Sequence, residues 1–310
     1  MPELALLSNA SLLAIAAILL IGVPHGGLDG AVARRVGWPS GLLPWMLFHI
    51  IYLVLAATVA GLWWLYPLPS LIFFLAISAL HFGTSDIRHI SPPSAPAAWL
   101  PLIAHGGLVV IAIPILQSAA VEPLFAVLVG ADNSLWLLKQ INLLLLPWAA
   151  CLVAYGIYSL YQPRWRRSLL SLTVLIALAY LLPPLVSFAL YFCLWHSRSH
   201  MQRIWRNIAP EQRQQSAREA VIYSLLAYAA AAIYFLWQTS SGSAPILAVA
   251  PVLAVAPVLA VAPVSAVAPV SAVAPALLQL TFIGLAALTV PHMLLVDFIY
   301  GQQKQEEKTA

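Results

Sequence analysis

The stretch Tyr191–His200, YFCLWHSRSH, places two histidines, His196 and His200, four residues apart at the end of an apolar run. In an α-helix, four residues turn the chain by about 400° and advance it by about 6 Å. Both imidazoles then share one face, one turn apart. That is a spacing at which two side chains of one helix can hold one metal ion. The remainder of the chain reads as the scaffold that carries further histidines to this pair.

Composition says what kind of scaffold. Of 310 residues, 62% are hydrophobic and 8% charged, and the mean hydropathy is +0.92. Soluble domains carry about 25% charged residues. A deficit spread along the whole chain marks a polytopic membrane protein. In lipid the spanning elements have to be helices or a closed barrel, and apolar runs of about 20 residues without alternation select helices. The net charge of +4 is not a nucleic-acid signal, because the basic residues lie in short clusters between apolar runs. Cys151 and Cys193 both fall inside such runs, which argues against a disulfide framework. Glu3 and the lack of a basic lead-in make the first run a retained span rather than a cleaved signal.

The apolar runs predict nine spans, roughly 4–23, 42–66, 70–82, 97–119, 135–161, 169–182, 185–201, 220–237 and 276–300. Between them lie a short basic loop with Arg34 and Arg35, an uncharged turn at Pro67-Leu68-Pro69, and a Pro-rich loop holding Asp86 and Arg88. A loop with Glu122 and Asp132 follows, then the Arg164–Arg167 cluster and the Arg-rich stretch from Arg198 to Arg218. Pro210 in Ala209-Pro210-Glu211 marks a helix start. Nearly all Lys and Arg fall in alternate loops and in the C-terminal tail. Nine spans with the N-terminus outside and the C-terminus cytoplasmic satisfy the positive-inside rule throughout. The chain is thus expected to be a single membrane-embedded helical domain over 1–310, multi-pass in the cell (inner) membrane. Within 240–275, prolines at 245, 251, 257, 263, 269 and 275 recur every six residues. That interval prevents a regular lipid-facing helix and reads as an expanded outer loop.

On this topology His25, His81, His196 and His200 fall at the inner ends of spans one, three and seven. His105 and His292 lie in the inner halves of spans four and nine, and His49 is near the inner start of span two. Ionisable residues at membrane depth are costly and mark sites. Asp29 follows His25 by four residues, Asp86 follows His81 by five and Asp297 follows His292 by five. Metal-bound imidazoles donate their other ring N–H to such groups, so these carboxylates are candidates to stand behind the histidines. Loop-facing or helix-capping roles for Asp29 and Asp86 remain open, as do plain packing roles for His105 and His292. The glycines of Pro24–Gly30 and His105–Gly107 fit close backbone approach around a site.

An all-imidazole set suits Zn, Cu, Fe or Ni. Zinc hydrolysis lacks its general base here, since no Glu stands beside the pair and HExxH is absent. A two-metal histidine-box site needs more than the one HxxxH present, and bis-histidine haem fits a pair on one helix poorly. A mononuclear iron with positions open to dioxygen fits best.

Five segments carry a resemblance: GVPHGGLDG at Gly22–Gly30, HFGTSD at His81–Asp86, HGG at His105–Gly107, YFCLWHSRSH at Tyr191–His200 and PHMLLVD at Pro291–Asp297. In that order and over the whole chain, they resemble the Brp/Blh family of bacterial and archaeal membrane proteins, the β-carotene 15,15′-dioxygenases. The resemblance implies Fe(2+) held by histidines that map to His25, His81, His196 and His200. It also implies cleavage of the central double bond of β-carotene by O2 to give two retinal molecules. The proline repeat departs from that family's pattern only in the outer loop. A polyene comparable in length to a bilayer core of roughly 30 Å partitions into lipid, where a membrane-embedded enzyme takes it laterally. Phe82, Tyr191, Phe192 and Trp195 are expected to flank it. A retinal-binding rhodopsin is a candidate partner. A non-enzymatic carotenoid or retinal handler assisting a rhodopsin is the competing reading, and it needs no metal. A transporter would show broken helices or an internal repeat in its spans, and the sequence shows neither.

Overall fold

A computed structural model describes residues 7–87, 97–240 and 270–299, with the side chains of most of them; the His25 side chain is among those outside the description. Every regular element among the described residues is helical. Among the described residues six helices are long and apolar enough to cross a membrane: Asn9–Arg35, Leu42–Leu65, Pro67–Ile87, Trp99–Leu116, Ala131–Tyr161 and Ala274–Asp297. The other three expected spans are also helical, in Pro163–Leu181, in the run from Pro184 to Arg206, and in Pro210–Ser240. The first of these opens on Arg164, Arg166 and Arg167, which dilutes its apolar length.

Several connections differ from the sequence reading. Pro67-Leu68-Pro69 is not a turn of its own: Tyr66 alone breaks the helix, and Pro67 starts the next one, where its missing N–H costs nothing. That extends the third span to 21 residues, Pro67–Ile87. Arg34 and Arg35 are not in a loop but end the helix Asp29–Arg35, where cations suit the carbonyl terminus. The region of Glu122 is the helix Ser118–Val129, stopped by Gly130 at φ +87°, and Asp132 opens the next helix. Pro210 starts a helix as expected. Most of the proline repeat lies outside the described residues, but 270–275 form the first turns of Val270–Met293.

The chain divides into two compact units. One comprises Met1–Leu7, Ile15–Pro67 and Ser197–Ala310; the other comprises Ser8–Ala14 and Leu68–His196. In the first unit, small residues let helices meet. Ala56 and Ala60 of Leu42–Leu65 pack against Ala287 of Val270–Met293. A Cβ on Gly27 would come within 2.9 Å of the Ala220 Cα, so the PHGGL turn lies directly on Pro210–Ser240. Arg34 donates to both carboxylate oxygens of Glu219, at 2.9 and 2.8 Å, and to Ser216. In the second unit, Cβ atoms on Gly83 and Gly106 would collide with the carbonyl oxygens of Leu102 and Ala79. Pro67–Ile87 and Trp99–Gly107 therefore touch backbone to backbone. A Cβ on Gly107 would meet the Trp148 indole, which donates to the Ala104 carbonyl.

Candidate metal centre

Several helices that hold histidines depart from α geometry beside them, whereas His49 and His81 lie in regular α-helices. Wide π-helical turns occupy Ile18–Gly22 just before His25, Leu108–Ala112 just after His105, Leu190–Ser197 around His196, and Leu294–Ile299 just after His292. Such turns re-aim side chains and recur at functional sites. They also change the reading of the opening motif. His196 lies in the π segment and His200 in the α-helix Arg198–Arg206, so the two are not successive members of one regular α-helical face. The division between the units falls directly after His196.

In the unit holding Leu68–His196, the Nε2 atoms of His81 and His196 stand 3.1 Å apart, with ring centroids 4.8 Å apart and planes at 68°. Behind His196 is Asp86: its Oδ1 lies 3.6 Å from His196 Nδ1, and its Oδ2 lies 3.5 Å from His105 Nδ1. Tyr191 donates its hydroxyl to Asp86 Oδ2 at 3.0 Å. His105 Nε2 meets the Ser168 hydroxyl at 2.9 Å, so both its ring nitrogens face protein groups. Phe82 lies edge-on to His196 at 4.7 Å, and Phe192 is parallel to it at 6.2 Å. Phe82, Tyr191 and Phe192 are buried, whereas Trp195 is 39% exposed.

In the other unit, Asp29 accepts twice. Its Oδ1 is 2.7 Å from His292 Nδ1, and its Oδ2 takes the Tyr52 hydroxyl at 2.9 Å. His200 and His292 have ring centroids 5.0 Å apart and planes at 64°. Arg203 Nη2 comes within 3.5 Å of His200 Nδ1, a long contact. His25 lies on the 3-10 turn Val23–Leu28, its side chain outside the described set. Asp297 is partly buried in the last π turn. His49, on the same unit, pairs with the Tyr223 hydroxyl at 3.1 Å.

The described contacts of Asp29 and Asp86 run to histidines on other elements: His292 for Asp29, and His105 and His196 for Asp86. Tyr52 and Ser168 were not singled out by the sequence. Tyr52 carried a weak signal, as a polar group deep in an apolar helix that needs a buried partner; Ser168 carried none.

Among the described side chains no three His, Cys, Asp or Glu form a ready-made metal group. The spacing of His81 and His196 nonetheless suits two imidazoles on one metal ion. Metal–imidazole bonds are about 2.0–2.1 Å long, so two on adjacent positions of one ion put their nitrogens about 3 Å apart. The His81–His196 separation of 3.1 Å matches, and a carboxylate on the Nδ1 side is the arrangement that leaves Nε2 to the metal.

A family model described as beta-carotene 15,15′-dioxygenase matches residues 16–300. A beta-carotene 15,15′-dioxygenase from an uncultured marine bacterium, 66A03, is 34% identical over 297 residues, covering 93% of each chain. A probable beta-carotene 15,15′-dioxygenase, Blh, from Halobacterium salinarum is 26% identical over 208 residues, covering 61% of this chain and 60% of its own. No solved structure matches.

Proposed function

The chain belongs to the β-carotene 15,15′-dioxygenase family, and we propose that it is a membrane-embedded, non-haem iron enzyme that cleaves the central double bond of β-carotene. One carotene and one O2 give two retinal molecules. The observation that carries this reading is the His81–His196 pair at 3.1 Å with Asp86 behind it. His25, His81, His196 and His200 are the histidines assigned to hold Fe(2+). Bound there, iron supplies the redox chemistry with dioxygen.

The protein's own residues do the rest. Asp86 stands 3.6 Å from His196 Nδ1 and places its negative charge on that side of the ring, while Tyr191 donates to Asp86. Phe82, Tyr191 and Phe192 pack around His196 and exclude water. Beside this cluster in the same unit, an apolar groove of about 500 Å³ runs along Ile72, Ala76, Leu102, Gly106, Ile141 and Leu144. Its size is that of a ligand pocket, and it takes one arm of the polyene from the lipid. The chain is placed in the cell inner membrane with nine spans, N-terminus outside and C-terminus cytoplasmic. The alternation of Lys and Arg between loops supports this orientation. The product passes to a retinal-binding rhodopsin. Purified protein loaded anaerobically with Fe(2+), then given β-carotene and O2, should form retinal only when both iron and O2 are present. Carotene left intact by folded, iron-loaded protein would contradict the assignment.

A further inference from the structure

The imidazole pairs of the two units correspond part for part. His81 and His196 meet edge to face, with centroids 4.8 Å apart and planes at 68°. His200 and His292 do the same at 5.0 Å and 64°. In each pair one ring turns its Nδ1 to a buried aspartate: His196 to Asp86 at 3.6 Å, His292 to Asp29 at 2.7 Å. In each case the second carboxylate oxygen accepts a tyrosine hydroxyl, from Tyr191 at 3.0 Å or Tyr52 at 2.9 Å. His292 thus holds in its unit the place that His196 holds in the other, and both are followed by or lie within a π-helical turn.

We propose that His292 is a metal-holding histidine, bound through Nε2. The inference rests on the iron reading above and adds a ligand to it. A carboxylate only accepts, so the 2.7 Å contact puts the proton of a neutral His292 on Nδ1. The lone pair is then on Nε2, the nitrogen a metal takes. A buried Asp whose other oxygen is held by the partly buried Tyr52 hydroxyl is restrained, so the ring orientation is set before any metal arrives. Asp29 and Tyr52 are positioning residues for this ligand, as Asp86 and Tyr191 are for His196.

The test uses the full chain in detergent, titrated anaerobically with Co(II) as a spectroscopic probe and with Fe(2+). Wild type is compared with His292→Gln, Asp29→Asn, His196→Ala and His49→Gln, with helical content checked by circular dichroism. The expected result is at least tenfold weaker metal binding and an altered cobalt visible spectrum for His292→Gln. Asp29→Asn should weaken binding by about 10–100-fold, and His49→Gln should behave as wild type. A wild-type spectrum and affinity in His292→Gln, with both lost in His196→Ala, overturns the His292 ligand and leaves the iron reading standing. Wild-type protein that takes up neither metal overturns both. If His292→Gln does not fold, Asp29→Asn decides, and unchanged affinity and spectrum there overturn the inference.

Discussion

The two histidine clusters use the same parts with different tightness. Asp29 serves one described imidazole, His292, at 2.7 Å, while Asp86 is shared between His105 and His196 at 3.5 and 3.6 Å. Both histidine pairs meet edge to face, with centroids at 4.8 and 5.0 Å, and His81 and His196 bring their Nε2 atoms to 3.1 Å. One cluster has its carboxylate fully committed. The other has its nitrogens gathered and its carboxylate divided, with Ser168 taking the far side of His105. A carboxylate divided between two rings constrains each less, so the His81–His196 cluster depends more on the surrounding rings of Phe82, Phe192 and Tyr191 for its geometry.

The comparison can be broken most severely at the gathered nitrogens. His81→Ala or His196→Ala should abolish iron binding and retinal formation, read by metal analysis and product chromatography; iron retained by either variant removes that residue from the ligand set. Next comes the divided carboxylate. Asp86→Asn should weaken iron binding by about 10–100-fold, as seen by titration with a chelator. The tyrosines sharpen the contrast further. Tyr191→Phe should lower stability by about 1.5–3 kcal/mol, the range for a hydrogen bond to a charged group, measured by thermal melting in detergent. Tyr52→Phe should cost the same. If either variant melts like wild type, its hydroxyl is not holding the carboxylate. In the groove, Ala76→Trp should raise KM several-fold and leave iron content untouched; an unchanged KM removes the groove from the substrate's path. The smallest effect is expected at His49, whose ring meets Tyr223: His49→Ala should keep iron and activity near wild type.

Much of this was legible beforehand, for identifiable reasons. Long apolar runs without alternation can only be helices in lipid, so Leu42–Leu65 and Ala131–Tyr161 lie almost where hydropathy put them. The glycines of PHGGLDG and HGG were readable as close approach, because only a missing Cβ allows backbone contact such as Gly106 on Ala79. The partners of the acids were not readable. Spacing set Asp29 near His25, Asp86 near His81 and Asp297 near His292 along the chain, without establishing any contact. The structure joins Asp29 to His292, 263 residues away, and Asp86 to His196 and His105. Tertiary packing decides that pairing, and sequence separation carries no trace of it. The π turns were equally silent, since nothing in LYFCLWHS distinguishes a wide turn from an α turn. They are why a four-residue spacing did not guarantee a shared face. The basic residues misled locally for a simpler reason: Arg34 and Arg35 complement a helix terminus as readily as they mark a loop.

The most direct test of the central claim is made in β-carotene-producing cells grown in air. The full chain and its His196→Ala variant are expressed side by side, and the extracted pigments are separated by chromatography. The account predicts retinal with loss of carotene for the intact chain, and unchanged carotene for the variant at equal protein level. Unchanged carotene in both, with the intact protein shown to be folded and iron-loaded, would contradict it and favour a protein that handles carotenoid or retinal without cleaving it.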